Sequence, residues 1–485
     1  MYSLYSALLG LLLLLTLPWW LVQMLRLGKY RAGLRERLGR VPLRVRQAPA
    51  ADAGSKRTDV AWVHAVSIGE VLAIAPMVAE LRARGYRVVV STTTHTGQRL
   101  ARDRFGEAHV FYFPLDLGLC IRPYLRALRP RLVVLAETEF WPNFLRLARS
   151  SGAHLAVVNA RISDRSFPRY RLWRRLLGVA LEPVELFLAQ SGQDAARLRE
   201  IGAAPDRVEV AGNLKFDAAE PVESDSVRRL GESLRAAGGP VVVAGSTVEG
   251  EEGHVLRAFR SVLEAHPAAL LVLAPRHRER FEAVAQLLEK QRWSWARRSE
   301  FNPSTPTADA PLTQDSLETP ESESVPPICP PLANVGREAP EAPSAREQDA
   351  ASLDREGQAL RERVLLLDSL GELAAVYGYA DVAFVGGSLV PRGGHNILEP
   401  AFFARAIVTG PHMENFRDVI SCFERGQAVV RCDAEHLAAV FLRLLRDGTE
   451  RAELGRRAQQ VLASERGATA RSVERLMQLV TREQA

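Results

Sequence analysis

Short apolar, β-branched runs alternate with helix-length segments along most of this 485-residue chain, and the series starts twice. One series runs from Val60 to Val210, and the other runs from Pro240 to Arg431. Nearly continuous apolar strands joined by helical crossovers are typical of parallel sheets that are covered on both faces. The sequence therefore predicts an α/β protein with two doubly wound parallel-sheet domains.

The predicted domain bounds follow from where each series begins and ends. They are 1–28 as a membrane anchor, 29–57 as a basic juxtamembrane segment, 58–215 as the first domain, 216–238 as a linker and 239–485 as the second domain. A stretch over 299–358 interrupts the second domain, and ten of the 28 prolines fall between 301 and 350. The stretch has no periodic apolar face, which indicates a disordered insertion, with a recognition segment as the alternative.

The N-terminal segment is the strongest indication of a membrane. Leu4 to Leu25 contains 22 residues and no charge. A helix of that length spans about 33 Å, enough for a bilayer core of about 30 Å. A cleaved signal peptide is disfavoured because no positive residues precede the run and no small-residue cleavage site follows it. We therefore expect a single transmembrane helix, with the domains on the cytoplasmic side because basic residues follow the span.

Positive charge is concentrated in two places, although the net charge is only +6. Residues 26–46 hold eight Arg or Lys and one Glu, and residues 161–175 hold six Arg and one Asp. The rest of the chain is therefore acidic, and we expect a localised anionic partner such as lipid headgroups, and no nucleic acid. The four cysteines lack metal-ligand spacing, and no HExxH or strand-end Asp-x-Asp occurs, so we expect no metal and no cofactor.

Ligands of open α/β sheets bind at the carboxyl ends of strands, so the residues after each strand are the candidate site residues. In the first domain, Ser67 and Glu70 begin a helix after the first strand. Glu70 fits a capping box with Ser67, and it also fits a base that takes a proton from a hydroxyl. The other acceptor-binding candidates follow later strands: Thr93, Glu137, Glu139, Trp141 and Arg161.

The second domain repeats this pattern and adds a glycine-rich stretch over 386–400. Glycines allow a ligand to approach the backbone closely, and the helix start that follows favours an anion. This stretch predicts nucleotide binding, although it is neither a Walker loop nor a GxGxxG fingerprint. The donor-binding candidates by position are Ser246, Thr247, His277, Gly387, Ser388, Gly394 and His395, together with Arg276, whose guanidinium suits a phosphate.

Five motifs occur together in order: SIGE at 67–70, ETEFWPN at 137–143, GNLKFD at 212–217, PRH at 275–277 and GGSLVPRGGHNILEP at 386–400. With the N-terminal anchor and its basic flank, they make the chain resemble the 3-deoxy-D-manno-oct-2-ulosonic acid (Kdo) transferases of lipopolysaccharide synthesis over nearly its whole length. The insertion at 299–358 departs from the family pattern. The resemblance implies the GT-B fold, in which two Rossmann-like domains face a cleft that holds the active site.

The resemblance also implies substrates and residue roles. The donor would be CMP-Kdo, the acceptor the lipid A precursor, and the location the inner membrane. Glu70 matches the family's catalytic base. The CMP-binding positions of the family match Pro275, Arg276, Leu370, Gly371, Glu372, Asn396, Ile397, Leu398 and Glu399. Transfer would be inverting and independent of metal.

Two other functions are compatible with the residues. One is a different GT-B transferase that uses a UDP-sugar on a membrane lipid acceptor. The other is a non-catalytic binder of nucleotide sugars. A transfer assay that compares CMP-Kdo with UDP-sugars would distinguish a UDP-sugar transferase from a Kdo transferase. CMP affinity without transfer would indicate a non-catalytic binder.

Overall fold

The computed structural model describes residues 2–27, 33–47, 59–164, 166–217, 220–221, 223–300 and 363–481. Most of the predicted Pro-rich insertion, from 301 to 358, lies outside the described residues, as does part of the basic segment at 29–57. The chain divides into two compact units. The first unit contains residues 1–219 and 464–485, and the second contains residues 220–463.

The first unit is built on a seven-stranded parallel sheet in the order β3-β2-β1-β4-β5-β6-β7. Its strands are β1 (Val60–His64), β2 (Arg87–Thr92), β3 (Val110–Tyr112), β4 (Leu132–Ala136), β5 (His154–Ala160), β6 (Leu186–Ala189) and β7 (Val208–Val210). Its helices before residue 219 are α1 (Tyr2–Leu27), α2 (Leu34–Arg37), α3 (Leu43–Gln47), α4 (Ile68–Ala83), α5 (His95–Phe105), α6 (Gly118–Leu128), α7 (Pro142–Ser150), α8 (Phe167–Leu172), α9 (Arg174–Leu181) and α10 (Gly192–Glu200).

Strand β1 shows why this sheet is buried on both faces. Successive side chains of a strand point to opposite faces. Trp62 packs with Phe111 and Phe144 in one core, whereas its neighbour Val63 packs with Ile74 in the other. The predicted parallel architecture of this domain is confirmed.

The second unit repeats the architecture with the strand order β10-β11-β9-β8-β12-β13-β14. Its strands are β8 (Val241–Thr247), β9 (Leu270–Pro275), β10 (Trp295–Arg297), β11 (Val364–Leu366), β12 (Val382–Val385), β13 (Ala406–Thr409) and β14 (Val430–Arg431). Its helices are α11 (Asp225–Ala236), α12 (Glu252–Ala265), α13 (Phe281–Lys290), α14 (Leu373–Val376), α15 (Leu398–Phe402), α16 (Arg417–Arg425), α17 (Leu437–Arg446) and α18 (Gly448–Glu465).

The C-terminal helix α19 (Ala468–Thr481) differs from the predicted domain bounds. The prediction assigned all of 239–485 to the second domain, but α19 buries Val473, Leu476 and Val480 in the core of the first unit. The Asp217 carboxylate accepts hydrogen bonds from the backbone N–H groups of Gly467 and Thr469 at 2.7 and 2.6 Å. The predicted linker at 216–238 also differs, because it contains helix α11 and most of it belongs to the second unit.

The N-terminal segment forms the predicted helix, α1. Searching the described part of the chain yields no helix that combines the length and the apolarity needed to cross a membrane. The transmembrane helix expected over 1–28 is therefore not supported. The first turns of α1 make polar contacts with the first unit, where Asn143 Nδ2 donates to Ser6 Oγ at 2.9 Å and Tyr2 Oη donates to the Val179 carbonyl at 3.1 Å.

Candidate active site

Glu70 lies at the carboxyl end of β1, in the first turn of α4. The predicted capping box with Ser67 is confirmed, since the Glu70 N–H donates to Ser67 Oγ at 3.4 Å and the Ser67 N–H donates to Glu70 Oε1 at 3.3 Å. The carboxylate also accepts from Ser67 Oγ and from the Val66 N–H, each at 2.8 Å. Three donors thus hold one buried carboxylate in a defined orientation.

The electrostatic surroundings of Glu70 make it a better proton acceptor. Burial raises the pKa of Glu70, and the negative charge of Glu137 raises it further, while the donors on Val66 and Ser67 lower it in part. A carboxylate whose pKa is raised toward the working pH is a more effective general base. The capping role and the proton-accepting role are therefore compatible in this geometry.

Glu139 completes a group of three neighbouring carboxylates with Glu70 and Glu137. Burial raises the pKa of Glu139 to about 7, the charges of Glu70 and Glu137 contribute, and the side chain of Trp141 offsets part of the shift. Like charges in one place disfavour simultaneous ionisation. Burial and the neighbouring negative charges therefore favour protonation of Glu139 as the pH falls through about 7.

Glu137 has a backbone conformation that non-glycine residues seldom adopt, with φ of 57°. Such conformations persist where the surrounding structure enforces them, and they cluster at functional sites. Lys215 Nζ lies 3.9 Å from Glu137 Oε1. Lys215 belongs to the GNLKFD motif, but the sequence predicts no role for it, because no local pattern shows that residue 215 meets residue 137.

A buried polar network holds Lys215 in place. Asn159 has a φ of 54°, and its Oδ1 accepts from the Leu214 N–H at 3.0 Å. Gln190 Nε2 donates to the Asn159 carbonyl, and Asn213 Nδ2 donates to Gln190 Oε1, both at 3.0 Å. The segment before Lys215 is therefore fixed by three side-chain amides, which brings this cation to the carboxylate group.

The remaining candidates of the first unit differ in their surroundings. Thr93 follows β2 and has a buried hydroxyl with no partner within the described residues. Its neighbour Thr94 is the residue that begins helix α5, accepting from the Gly97 N–H at 3.1 Å. Trp141 is half-buried with its ring 5.7 Å from that of Phe113. Arg161 lies directly after β5 and is half-buried.

Charge and apolar surface are combined on α8 and α9. Arg169, Arg171, Arg174 and Arg175 are exposed there. Leu172 and Trp173, at the junction of the two helices, are also exposed, by 78% and 54%. We call these six residues the basic–apolar surface.

In the second unit, the ends of β8 and β9 place the first donor candidates side by side. The register shifts after Gly245, Ser246 adopts a φ of 55°, and Thr247 pairs with Pro275. The Arg276 N–H donates to the Thr247 carbonyl at 2.9 Å. Thr247 is fully buried, and its Oγ1 has no partner in the described part of the chain.

Arg276 lies close enough to His395 and Glu399 for its positive charge to lower the pKa of both. Burial lowers the pKa of His395 to about 4, and the positive charges of Arg276 and His277 add to this. Burial raises the pKa of Glu399, which Asn396 and Arg276 partly offset. The Asn396 side chain donates to Glu399 Oε1 at 3.1 Å. A neutral imidazole beside an exposed guanidinium is an arrangement suited to an anionic ligand.

Tyr377 is a neighbour of the donor candidates that the sequence prediction did not include. It is fully buried, and burial together with the charge of Glu399 raises its pKa. A Cβ atom on Gly245 would lie 2.0 Å from Tyr377 Oη, so the strand end has room for this phenol only because residue 245 is glycine. Tyr377 lies in a short helical segment without a motif, and sequence pattern alone gives no signal for it.

The turn at 370–372 exposes its backbone, whereas the carboxylate of Glu372 is bound by neighbouring side chains. Leu370 is 56% exposed, and Gly371 has a φ of 89°. The Glu372 carboxylate lies 3.3 Å from Nε of Arg298, which is fully buried, and it also accepts from Ser369 Oγ. Glu372 is therefore engaged inside the unit.

The glycine-rich loop approaches His395 closely. Gly387 and Gly394 have φ of 68° and 72°, and the Gly394 N–H donates to the Gly387 carbonyl at 2.7 Å. A Cβ on Gly387 would lie 2.7 Å from the ring of His395. Ile397 directly precedes α15, and the Leu398 N–H donates to Asn396 Oδ1 at 3.2 Å.

No group of three or more His, Cys, Asp or Glu side chains suited to a metal ion occurs among the residues that the structure describes. Metal-independent chemistry stays a prediction.

Comparison with known sequences identifies close relatives of this chain. A family model described as "3-Deoxy-D-manno-octulosonic-acid transferase (kdotransferase)" matches residues 32–218. The 3-deoxy-D-manno-octulosonic acid transferase of Haemophilus influenzae is 31% identical over 425 residues, covering 86% of this chain and 86% of the relative. The protein of the same name from Bordetella pertussis is 33% identical over 427 residues, with the same coverage of both chains.

A solved structure supports the architecture. Anabaena Alr3699/HepE in complex with UDP is 12% identical and has a TM-score of 0.50, over 87% of this chain and 100% of that chain. At this identity the likeness shows the fold alone, and it agrees with the two parallel-sheet units.

Proposed function

This chain belongs to the 3-deoxy-D-manno-octulosonic acid (Kdo) transferase family, and from that premise we propose that it transfers Kdo from CMP-Kdo to the lipid A precursor of lipopolysaccharide. It is a glycosyltransferase. The observation that carries the proposal is the buried Glu70 carboxylate, which three donors hold in one orientation. Its pKa is raised, and two further carboxylates lie beside it. Such a group is suited to take a proton from an acceptor hydroxyl.

The proposed reaction is one direct displacement. Glu70 removes the proton from a glucosamine hydroxyl of the acceptor, and the oxygen forms a bond to the anomeric carbon of Kdo. The bond from that carbon to the phosphate oxygen breaks, and CMP leaves with the electron pair. Attack opposite the leaving group inverts the anomeric centre.

We assign the neighbouring groups supporting roles. Protonated Glu139 can donate a hydrogen bond to the acceptor, and its neutrality limits repulsion of the charge on Glu70. Lys215 balances Glu137. On the donor side, Arg276 meets the phosphate, and Asn396 and Glu399 lie at the helix start where a ribose diol can bind.

The proposal is tested by product analysis with purified protein. CMP-Kdo and UDP-sugars are offered separately with the lipid A precursor, and products are read by mass spectrometry. We expect the Kdo mass increment from CMP-Kdo alone. Transfer from a UDP-sugar would support the alternative transferase, and CMP binding without any transfer would support a non-catalytic binder.

Stability should depend on pH through Glu139. Its pKa in the folded chain is about 7, above the ordinary value of 4.5, so the folded state binds more protons than the unfolded state between these values. The contribution of Glu139 to the free energy of unfolding is fully present below pH 4.5 and is lost as the pH rises through 7. Glu139→Gln mimics the protonated form. We therefore expect its free energy of unfolding to exceed that of wild type by about 1–3 kcal/mol near pH 8 and to differ little near pH 5.

Thermal melts across this pH range measure the effect. Exposed Glu200→Gln, in the same unit, is the control and should show no pH-dependent gain. A gain for Glu139→Gln that is equal at both ends of the range would contradict the assignment.

We propose that the protein works at the cytoplasmic face of the inner membrane, where its acceptor is a lipid. The basic–apolar surface supports this, because its arginines can meet anionic headgroups while Leu172 and Trp173 enter the interface. Arg174→Gln combined with Arg175→Gln removes two charges, and each is worth about 1 kcal/mol near an anionic membrane. Binding to phosphatidylglycerol vesicles should therefore weaken by about 30-fold.

Co-sedimentation at low salt measures this binding. Arg228→Gln combined with Arg229→Gln removes the same charge from an exposed part of the second unit and is the control. Equal weakening by the two double variants would mean that net charge, not this surface, controls binding.

A further inference from the structure

The carboxylate of Glu251 accepts hydrogen bonds from the backbone N–H groups that a glycine-rich loop would be expected to offer to a phosphate. It immediately precedes α12 and is fully buried. Its Oε1 accepts from the N–H groups of Ser388 and Leu389 at 2.8 and 2.7 Å. Its Oε2 accepts from the N–H groups of Gly387 and Val248 at 2.6 and 3.0 Å.

Consecutive backbone N–H groups that converge on one point form an anion-binding concavity. Here that concavity, over 387–389, is filled by a carboxylate of the same chain. A Cβ on Gly386 would lie 2.9 Å from Glu251 Oε2, so the loop approaches the carboxylate as closely as glycine permits. A second anion at these amides would have to displace a buried charge that already has four donors.

The loop transmits this constraint to the donor-binding residues. The Gly387 carbonyl accepts from the Gly394 N–H at 2.7 Å, and the ring of His395 lies against Gly387. Ser388 reinforces the arrangement, because its Oγ donates to the Val385 carbonyl at 2.5 Å and accepts from the Gly410 N–H at 2.8 Å.

We propose that Glu251 is a positioning residue for the donor: it serves as the internal anion of the 387–389 concavity and thereby sets the loop that carries His395 to Glu399. The donor's phosphate is met outside the concavity, by Arg276 and its neighbours. Gly387 and Ser388 then shape the loop rather than contact the donor. This inference rests on the proposed function, because it concerns how the second unit holds CMP-Kdo.

Glu252 provides a matched control. It is adjacent to Glu251 and equally buried, but its carboxylate pairs with Arg280 at 3.1 Å instead of with the loop. A variant at Glu252 therefore reports the general cost of altering a buried carboxylate in this helix start.

The experiment measures CMP affinity by calorimetry, the KM values for CMP-Kdo and for the acceptor, and melting temperatures, all on the full chain. In Glu251→Gln one acceptor oxygen is replaced by an NH₂ group that faces backbone donors. We expect Kd for CMP and KM for CMP-Kdo to rise by about 10-fold or more, with the KM for the acceptor unchanged. Glu252→Gln should lower the melting temperature and keep Kd for CMP near wild type.

Chemical rescue separates positioning from a general loss of structure. Glu251→Ala empties the concavity, and added formate should restore much of the CMP affinity by placing a carboxylate at the same amides. Chloride at equal ionic strength should not. If Glu251→Gln does not fold, Glu251→Asp keeps the charge one methylene shorter and should still weaken CMP binding.

Near-wild-type CMP affinity in folded Glu251→Gln or Glu251→Asp would overturn the inference. So would equal losses of affinity in Glu251→Gln and Glu252→Gln, or a failure of formate to act on Glu251→Ala. A wild-type protein without CMP affinity would instead overturn the proposed function itself, so the two failures are distinguishable.

Discussion

Glu70→Gln should lower the rate of Kdo transfer by about 10²–10⁴-fold, the usual contribution of a general base. Glutamine keeps the size of the side chain, and its carbonyl can still accept at the start of α4, as glutamine does in capping boxes. It cannot accept the proton of an acceptor hydroxyl. Because both oxygens of Glu70 accept from backbone N–H groups, the NH₂ of glutamine must face one of these donors, and the melting temperature should fall modestly. CMP affinity should stay close to wild type while turnover at saturating CMP-Kdo falls.

The first unit contains a second buried carboxylate in the first turn of a helix, and it serves as a control. Asp194 lies in the first turn of α10, where its N–H donates to Ser191 Oγ at 3.2 Å and its own carboxylate accepts from that hydroxyl. Asp194→Asn should alter stability by an amount similar to Glu70→Gln while leaving turnover nearly unchanged. Comparable losses of turnover in both variants would mean that Glu70 acts only as a helix cap, and Glu137 and Glu139 would become the candidate bases.

The strand-end positions of the site could be predicted because parallel sheets expose the same edge wherever an apolar run ends. Glu70, Glu137 and Glu139 follow strands β1 and β4, which are neighbours in the sheet. The sequence thus indicated which side chains share an edge. It did not indicate that the pKa of Glu139 reaches about 7, since that value depends on burial and on the distances between the carboxylates.

Residues that act across long sequence separations were not predictable from local patterns. Glu251 and the 387–389 amides are about 136 positions apart along the chain, and nothing in either segment points to the other. Helix α19 illustrates the same limit at the level of domains. Its apolar stripe shows that one face is buried, but two sheets were available, and only the packing of Val473 and Leu476 shows which one it covers.

The N-terminal segment shows a different limit. Its uncharged run predicts a helix, and α1 extends from Tyr2 to Leu27 as expected. Hydropathy does not report the polar contacts of its first turns, in which Ser6 and Tyr2 bond to the first unit. The residues of the basic–apolar surface are distant from this run in sequence, although Tyr2 bonds to Val179 of α9, one of the two helices that carry the surface.

Arg276→Gln should raise Kd for CMP and KM for CMP-Kdo by about 10²-fold, with a smaller effect on turnover at saturating donor. Hydrogen bonds to charged groups are each worth about 1.5–3 kcal/mol, and a guanidinium can make two to a phosphate. Because Arg276 also lowers the pKa of His395 and offsets the raised pKa of Glu399, its removal should raise both values. Calorimetry with CMP and NMR titration of His395 measure the two effects.

Arg278→Gln is the matched control, since Arg278 is exposed like Arg276 and lies two residues further along the chain, at the start of the short helical turn Arg278–Arg280. It should leave Kd for CMP within about twofold of wild type, as surface charges contribute little. The amides of 387–389 already hold the carboxylate of Glu251, so the backbone there offers the phosphate no substitute for a lost guanidinium. Raising the concentration of an added phosphate mimic should therefore not restore the CMP affinity that Arg276→Gln loses. Near-equal CMP affinities in Arg276→Gln and Arg278→Gln would remove Arg276 from phosphate binding and leave His277 as the next side chain to test at the end of β9.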